Sequence, residues 1–201
     1  MSISDAQSRA ANKRSYRLGA RALKQEETRR RIVEAAVDLH CSVGPARTTV
    51  AQIAERAGVQ RHTYYAHFPD ERDLFLACSG LALERDPLPA VEEWRVLSPG
   101  RDRLSAGLAE LYGWYRRNEG QAACVLRDAE HHALTREIVA LRMAPTFAQA
   151  AAVLGEGLSD RARPLLLVAL QFATWRTLAS IHDPESAAAL MADALLAVPA
   201  A

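Results

Sequence analysis

Residues 48–74 constrain the fold more than any other stretch, because two short helical patterns meet there at a single glycine. Thr49, with a glutamine three residues later, forms a capping box and predicts the start of a helix. Gly58 can adopt a left-handed backbone and predicts a tight turn. A second short helix is predicted over residues 60–67, because Pro69 prevents its continuation. The stretch therefore predicts two helices joined at a fixed turn.

The second helix of this pair divides its side chains into an inward and an outward face. With about 3.6 residues per turn, Tyr64 and Phe68 share a face with Val59 and should point inward. The other face keeps polar and basic side chains, which are Gln60, Arg61, His62, Thr63, Tyr65 and His67. Such a cluster on two turns predicts a binding surface, with a plain solvated face as the alternative.

Charge is divided unevenly along the chain. Residues 1–69 hold 12 Lys and Arg against 6 Asp and Glu, a net charge of +6, whereas residues 70–201 hold 13 against 18, a net charge of −5. This division favours a polyanionic partner for the first part only. Residues 1–25 are predicted to be a flexible basic arm, with a solvated terminus lacking any partner as the alternative. The candidate phosphate contacts of the arm are Arg14, Arg17, Arg21 and Lys24.

The rest of the pattern predicts an all-α protein. Apolar residues at three- and four-residue spacing indicate an amphipathic helix from residue 26 to about 43, which completes a three-helix domain over residues 26–69. Residues 70–201 are predicted to form a larger helical body. Pro145 lies inside one of its helices and predicts a kink there.

The last two predicted helices, residues 160–181 and 184–198, are candidates for a dimer interface. The first is apolar on almost every side, so its own domain cannot cover all of it. Two such helices from each subunit would form a four-helix bundle, and a hairpin packed only on its own domain is the alternative. The predicted interface residues are Leu166, Ala169, Leu170, Ala173, Thr177, Ala188, Met191 and Leu195.

The cysteine and histidine content limits other kinds of chemistry. Three scattered cysteines argue against a disulfide framework and favour a reducing compartment. No Cys-x-x-Cys or His-x-x-x-His pair occurs, so no metal, cofactor or catalytic site is predicted. A small enzyme using Cys124 with His131 or His132 is a minor alternative. Because the longest strongly apolar run, residues 165–170, is too short to span a bilayer, no membrane partner and a cytoplasmic location are expected.

Residues 48–74 resemble the DNA-binding signature of TetR-family transcriptional regulators. The matching residues are Thr48, Thr49, Val50, Ile53, Ala54, Ala57, Gly58, Val59, Thr63, Tyr65, His67, Phe68 and Leu74. The resemblance implies a helix-turn-helix whose second helix enters the major groove of DNA. One departure is Glu71, which stands where the family commonly has a Lys near the DNA backbone.

The resemblance assigns roles to the outward face. Arg61 is expected to read bases, because its planar fork can bond guanine at two points, and Gln60, His62 and Thr63 are shorter readers. The other expected DNA contacts, mainly to phosphate, are Arg47, Thr48, Thr49, Tyr65 and His67.

The resemblance also implies a partner for the whole molecule. The protein is expected to be a homodimeric repressor that binds a palindromic operator. A small apolar or aromatic molecule is expected to release it from the DNA. An effector-independent DNA-binding protein is the alternative. The predicted effector pocket lies in the body, where aromatic and Met side chains at helical spacing could equally be ordinary core. Its predicted lining is Leu108, Tyr112, Tyr115, Cys124, Met143, Phe147, Phe172 and Trp175.

Overall fold

A computed structural model describes the backbone of residues 3–199 and the side chains of residues 19–199. Within these bounds the chain forms α-helices and two 3-10 helices and contains no β-strand, which confirms the all-α prediction. The helices are α1 (Ile3–Ser42), α2 (Val50–Ala57), α3 (Arg61–His67), α4 (Glu71–Arg85), α5 (Arg101–Arg117), α6 (Glu119–Ala129), α7 (Ala133–Leu154), α8 (Arg163–Ala169), α9 (Phe172–Leu178) and α10 (Pro184–Leu196). The 3-10 helices are Pro45–Arg47 and Val91–Val96.

The first four helices enclose a small core of their own. Ile32 and Ala36 of α1 pack against Ile53 of α2, Tyr64 of α3 and Leu74 of α4, and all five are almost completely buried. Helix α4 also carries Leu83, which packs on the core of the body. The helix therefore links the two parts of the molecule.

The body is built around α5. Helix α10 packs along it, and α6, α7, α9 and the 3-10 helix Val91–Val96 also contact it. The hydroxyl groups of Tyr112 and Tyr115 donate hydrogen bonds to the carbonyl oxygens of Ala169 (2.8 Å) and Leu170 (2.7 Å). These are carbonyl groups at the end of a helix, which need partners from outside it. Two buried tyrosines of α5 thus hold the point where α8 ends.

Several boundaries differ from the sequence predictions. The predicted single helix over residues 160–181 is two helices that meet near Leu170, where the tyrosines take the carbonyl groups that would otherwise continue it. The predicted polar link after α4 contains a 3-10 helix whose Val91 and Trp94 are buried. Helix α7 contains Pro145 in its interior, as predicted, and the kink there stays a prediction.

The amino-terminal boundary also differs, because α1 begins at Ile3 and continues past the predicted break near residue 25. Residues 3–25 are rich in Ala and Arg and contain no Pro, so their composition favours helix. Arg21 and Lys24 are exposed on α1. The side chains of Arg14 and Arg17 lie outside the described residues.

Helix α7 is long and apolar enough to cross a membrane by length and composition alone, with a mean hydropathy of 1.2 in its most apolar window. One such helix is weak evidence, because core helices pass the same test. Glu137 and Arg142 bond α7 to α4, so the helix is packed as one wall of the body.

Candidate functional site

The turn between α2 and α3 has the geometry that its sequence predicts. The amide of Thr49 donates to the Gln52 side chain (2.8 Å), and the amide of Gln52 donates back to the Thr49 hydroxyl (3.3 Å). Gly58 takes a left-handed backbone with φ of 64°, and its amide bonds to carbonyl groups of the last turn of α2. The capping box and the glycine together fix the angle at which α3 leaves α2.

Arginines of α1 and α2 stabilise the packing of α1 against α2 and against Phe68, the residue that follows α3. Arg31 donates to the carbonyl oxygen of Ala57 (3.1 Å) at the end of α2, where a cation is favourable. The Arg29 guanidinium lies 4.7 Å from the centre of the Phe68 ring. Arg56 pairs with an aspartate of α1 at 2.8 Å. Sequence reasoning missed these contacts, because the partners are distant in the chain.

Helix α3 separates its faces as the periodicity predicts. Tyr64 is 2% exposed and Phe68, which follows the helix, is 1% exposed, so both belong to the core. Arg61 and His62 are exposed, and Tyr65 is 53% exposed. Within the described part of the chain, neither Arg61 nor His62 has a hydrogen-bond or ion-pair partner. Their donors are therefore available to a ligand.

The remaining candidate contacts surround this face. Gln60 is the exposed N-cap of α3, and its side chain makes no capping bond. Thr63 and His67 are half-buried on its flank, and Arg47 is exposed beside α2. The hydroxyl of Thr48 is occupied, because it donates to the carbonyl oxygen of Gly44 at 2.8 Å.

The capping box occupies the hydroxyl of Thr49 in the same way, since it also donates to Gln52 (2.8 Å). At this end of α2, the backbone amides of the first turn are then the groups best placed for an anion. Glu71 is exposed at the start of α4, and the neighbouring Arg72 bonds to Glu137 of the body at 2.8 Å. Arg72 is thus engaged with the body and is not free to compensate for Glu71.

A buried carboxylate joins this unit to the body. Asp128 at the end of α6 is 1% exposed, accepts a hydrogen bond from the amide of Ala46 (2.9 Å) and pairs with Arg127 (2.8 Å). Burial alone would raise the pKa of Asp128, but these two bonds outweigh it and hold the pKa below its usual value. Arg127 also donates to the carbonyl oxygen of Val43 (3.2 Å). The end of α6 is therefore hydrogen-bonded to the segment that leads into α2.

His40 lies in the same junction, on the inner face of α1. Its Nδ1 lies 3.5 Å from the thiol of Cys78, and its ring lies 5.0 Å from that of Phe75. Burial lowers the pKa of His40 to about 4; Asp128 opposes this shift and His132 adds to it. His40 is consequently neutral at pH 7.

The body contains two neighbouring cavities. The narrow cavity has a volume of about 100 Å³ and lies between α1, α4, α5, α6 and α7. The wide cavity has a volume of about 840 Å³, is more open, and lies between α5, α6, α7, α8 and α9. Leu126, Val139 and Met143 line both, so these three side chains form the wall between them.

The structure separates the predicted pocket residues into two groups. Tyr115, Phe147 and Phe172 line the wide cavity, and Met143 lines both cavities. The other four do not line either of these two cavities. These are Leu108, Tyr112 and Trp175, which fill the core, and Cys124, whose thiol faces the carbonyl oxygen of Ser42 at 3.8 Å. Periodicity identified apolar positions but could not tell core from cavity wall.

The predicted dimer interface requires a larger correction. Five of its residues are buried within the single chain and cannot meet a second copy, namely Leu166, Ala169, Leu170, Ala188 and Leu195. Ala173 and Thr177 are exposed and Met191 is half-buried. The large apolar side chains that α8 and α10 leave exposed are instead Leu165, Leu167, Val168, Leu190 and Leu196.

The residues of the enzyme alternative are not assembled into a catalytic group. Nδ1 of His132 is engaged with the hydroxyl of Thr135 at 2.7 Å, and His131 is exposed. Among residues whose side chains are described, Cys124 has no histidine partner, and no group of three His, Cys, Asp or Glu residues could hold a metal ion.

Comparison with known proteins agrees with this geometry. Residues 32–78 match the family model of the bacterial regulatory proteins of the tetR family. The chain is 45% identical over 58 residues to the HTH-type transcriptional regulator AcrR of Shigella flexneri, a match covering 28% of this chain and 27% of AcrR. The match to this curated relative thus spans about a quarter of its length.

Two solved structures share the fold over most of the chain. A protein from Mesorhizobium loti assigned to the TetR family has a TM-score of 0.61 at 19% identity, with 86% of this chain and 96% of that one covered. The regulator FadR from Bacillus subtilis, crystallised with stearoyl-CoA, has a TM-score of 0.59 at 19% identity, covering 83% and 97%. The match over residues 32–78 thus places the helix-turn-helix in the tetR family of bacterial regulatory proteins, and together with the shared fold it supports a TetR/AcrR family regulator.

Proposed function

We propose that this protein is a repressor that binds a palindromic operator as a homodimer and is released by a small molecule. The observation that carries the proposal is the outward face of α3, where Arg61 and His62 are exposed and unpaired within the described chain. Arg61 would bond guanine in the major groove, with Gln60 and Thr63 beside it. Arg47, Tyr65, His67 and the first amides of α2 would hold phosphates.

The homodimer is proposed through the outward faces of α8 and α10. Val168 and Leu190 are 47% exposed and Leu165 is 46% exposed, and a second copy would bury all three. A symmetric pair would place two recognition helices on successive half-sites about 34–36 Å apart, or a multiple of it. Two half-sites supply the interface area that one small module lacks.

An effector would act through the body. Helix α6 lines both cavities and α4 lines the narrow one. These helices contact the DNA-binding unit, residues 26–69, through Cys78 and Asp128. FadR, which has the same fold, was crystallised with stearoyl-CoA. An effector would release the operator only if it binds more tightly to a state in which the recognition helices no longer fit the half-sites.

The test is selection of genomic DNA fragments by the purified protein at physiological salt, followed by titration of the recovered site. The proposal expects an inverted repeat, bound by two chains, with an affinity at least about a thousandfold above that for random DNA. Recovery of fragments without a shared sequence, or binding of one chain per site, would contradict it.

A further inference from the structure

The narrow cavity contains a positive charge without a negative one. Arg142 of α7 lies in its wall, and none of its described lining residues is an Asp or a Glu. The guanidinium donates to the carbonyl oxygen of Leu76 (2.9 Å) and the hydroxyl of Ser79 (3.2 Å), which are neutral acceptors on α4. Within the described residues Arg142 therefore has hydrogen bonds but no counter-ion.

The surroundings of Arg142 strengthen its pull on an anion. Most of the lining is apolar, including Phe75, Leu83, Trp114 and Ile138. A charge beside apolar walls is poorly screened, so its attraction for an opposite charge exceeds that of a surface arginine. His40, in the same lining, is neutral at pH 7 and neither adds to nor opposes this field.

The wide cavity differs in this respect. Glu130 lines it together with Arg127 and Arg176, so both signs of charge are present. Arg127 is already paired with a carboxylate, and Arg176 is exposed with its guanidinium 5.5 Å from the centre of the Phe172 ring. Arg142 is consequently the cation whose environment most favours an anionic ligand.

We propose that the effector is an apolar monocarboxylate whose carboxylate binds Arg142 in the narrow cavity. This inference rests on the proposed function and identifies the chemical class of its effector. A guanidinium bonds a carboxylate through two parallel N–H groups, and such charge-assisted pairs are stronger than bonds to neutral oxygen.

Cavity size sets the placement of the apolar part. A volume of about 100 Å³ is smaller than a dry cavity of roughly 150 Å³ that holds one benzene molecule. The carboxylate and the first carbons fill this space, and the remainder extends past Met143 into the wide cavity. Met143 suits this position because its unbranched side chain can change rotamer at little cost.

Binding at Arg142 also competes with a contact between helices. The donors that a carboxylate would engage, Nε and Nη2, are those that bond α7 to α4. Because α4 begins immediately after the DNA-binding unit, the ligand would exchange an α7–α4 tie for a ligand contact. Binding of a charged ligand would therefore act on α4, the helix that follows the DNA-binding unit.

The test compares acids with their uncharged amides, namely octanoate with octanamide and benzoate with benzamide, by isothermal titration of the full chain. We expect at least one acid to bind about tenfold more tightly than its amide, which is the advantage of one charge-assisted pair. Arg142→Gln should remove this difference, Arg142→Lys should retain part of it, and the matched control Arg176→Gln should leave it unchanged. Thermal unfolding without ligand identifies a variant that fails to fold.

Three outcomes overturn the inference: equal binding of acid and amide, binding of neither, or an acid preference that disappears in Arg176→Gln but persists in Arg142→Gln. Operator binding is measured on the same preparations. If operator binding persists while the acids fail, only the effector class is wrong. If the chain binds no operator, the proposed function itself is wrong.

Discussion

The molecule exposes two contrasting surfaces, a polar one on α3 and an apolar one on α8 and α10. Arg61 and His62 on α3 are polar groups that water solvates well, so exposure costs them little. Val168 and Leu190 on the other face are large apolar groups, and each Å² of apolar surface left in water costs roughly 25 cal/mol. We therefore expect the apolar face to be covered permanently and the polar face to bind reversibly, with a strong dependence on salt.

The largest effect is expected from introducing charges into the apolar surface of α8 and α10. In the double variant Val168→Glu with Leu190→Glu, two charges would have to be buried without partners, which opposes association. Light scattering should show the mass of one chain instead of two, and operator affinity should fall by at least about a hundredfold because one module buries too little surface. Val96→Glu, at a position that is 89% exposed on a 3-10 helix, is the matched control and should change neither quantity. A double variant that remains dimeric would exclude this interface.

Breaking the polar face should have the next largest effect. Arg61→Ala should cost about 1–3 kcal/mol per half-site and weaken the preference for operator over random DNA. Tyr65→Phe removes one hydroxyl and should weaken both kinds of DNA alike, by a smaller factor. Fluorescence anisotropy at two salt concentrations measures both variants. Unchanged operator binding by Arg61→Ala would show that α3 does not read the sequence in this way.

A third prediction concerns the junction between the two parts. The pKa of His40 is lower in the folded chain, at about 4, than its ordinary 6.5, so the unfolded chain binds more protons between these values. Stability is then lost as the pH falls from 6.5 toward 4, and at pH 5 the loss attributable to His40 is about 2 kcal/mol. Comparing urea unfolding at pH 7 and pH 5, His40→Gln should lose less stability than the natural chain. His62→Gln, on the exposed face of α3, should keep the full dependence, and equal pH dependence in all three proteins would contradict the prediction.

The smallest predicted effect tests the capping box. Thr49→Ala removes the hydroxyl that accepts the Gln52 amide and should lower the free energy of unfolding by about 1 kcal/mol. Thr28→Ala, whose hydroxyl only bonds within α1, should change it by less than about 0.5 kcal/mol. Calorimetry of both variants measures the difference. If the two variants melt alike, the cap adds nothing to the helix-turn-helix.

The same contrast explains where sequence was sufficient. The helix-turn-helix could be predicted because its signals are local. Thr49 caps α2 together with Gln52, only three residues away, and Gly58 adopts a left-handed backbone that other residues avoid. Helices α8 and α10 carry apolar residues on most sides, and nothing local distinguishes Leu166, which is buried, from Leu165, which is exposed. That distinction depends on α7 and α10, the helices against which α8 packs.

Contacts between elements that are distant in the chain could not be predicted from the sequence either. Asp128 and Arg142 lie in ordinary helical patterns, and their neighbours do not indicate that one holds the segment before α2 and the other lines a cavity. Gly44, with φ of 102°, gives only a local signal for a turn. Its second constraint, the approach of a carboxylate from α6, appears only in the folded chain.

The carboxylate of Asp128 limits how this module can be exchanged between proteins. It lies 82 residues beyond Ala46, whose amide donates a hydrogen bond to it, and a Cβ placed on Gly44 would collide with its oxygen. A chimera that joins the first 69 residues to a foreign body would lose the acceptor, and a foreign module with a bulkier residue at position 44 would collide with it. Designers who exchange operator specificity should therefore transfer positions 44 and 128 as a matched pair.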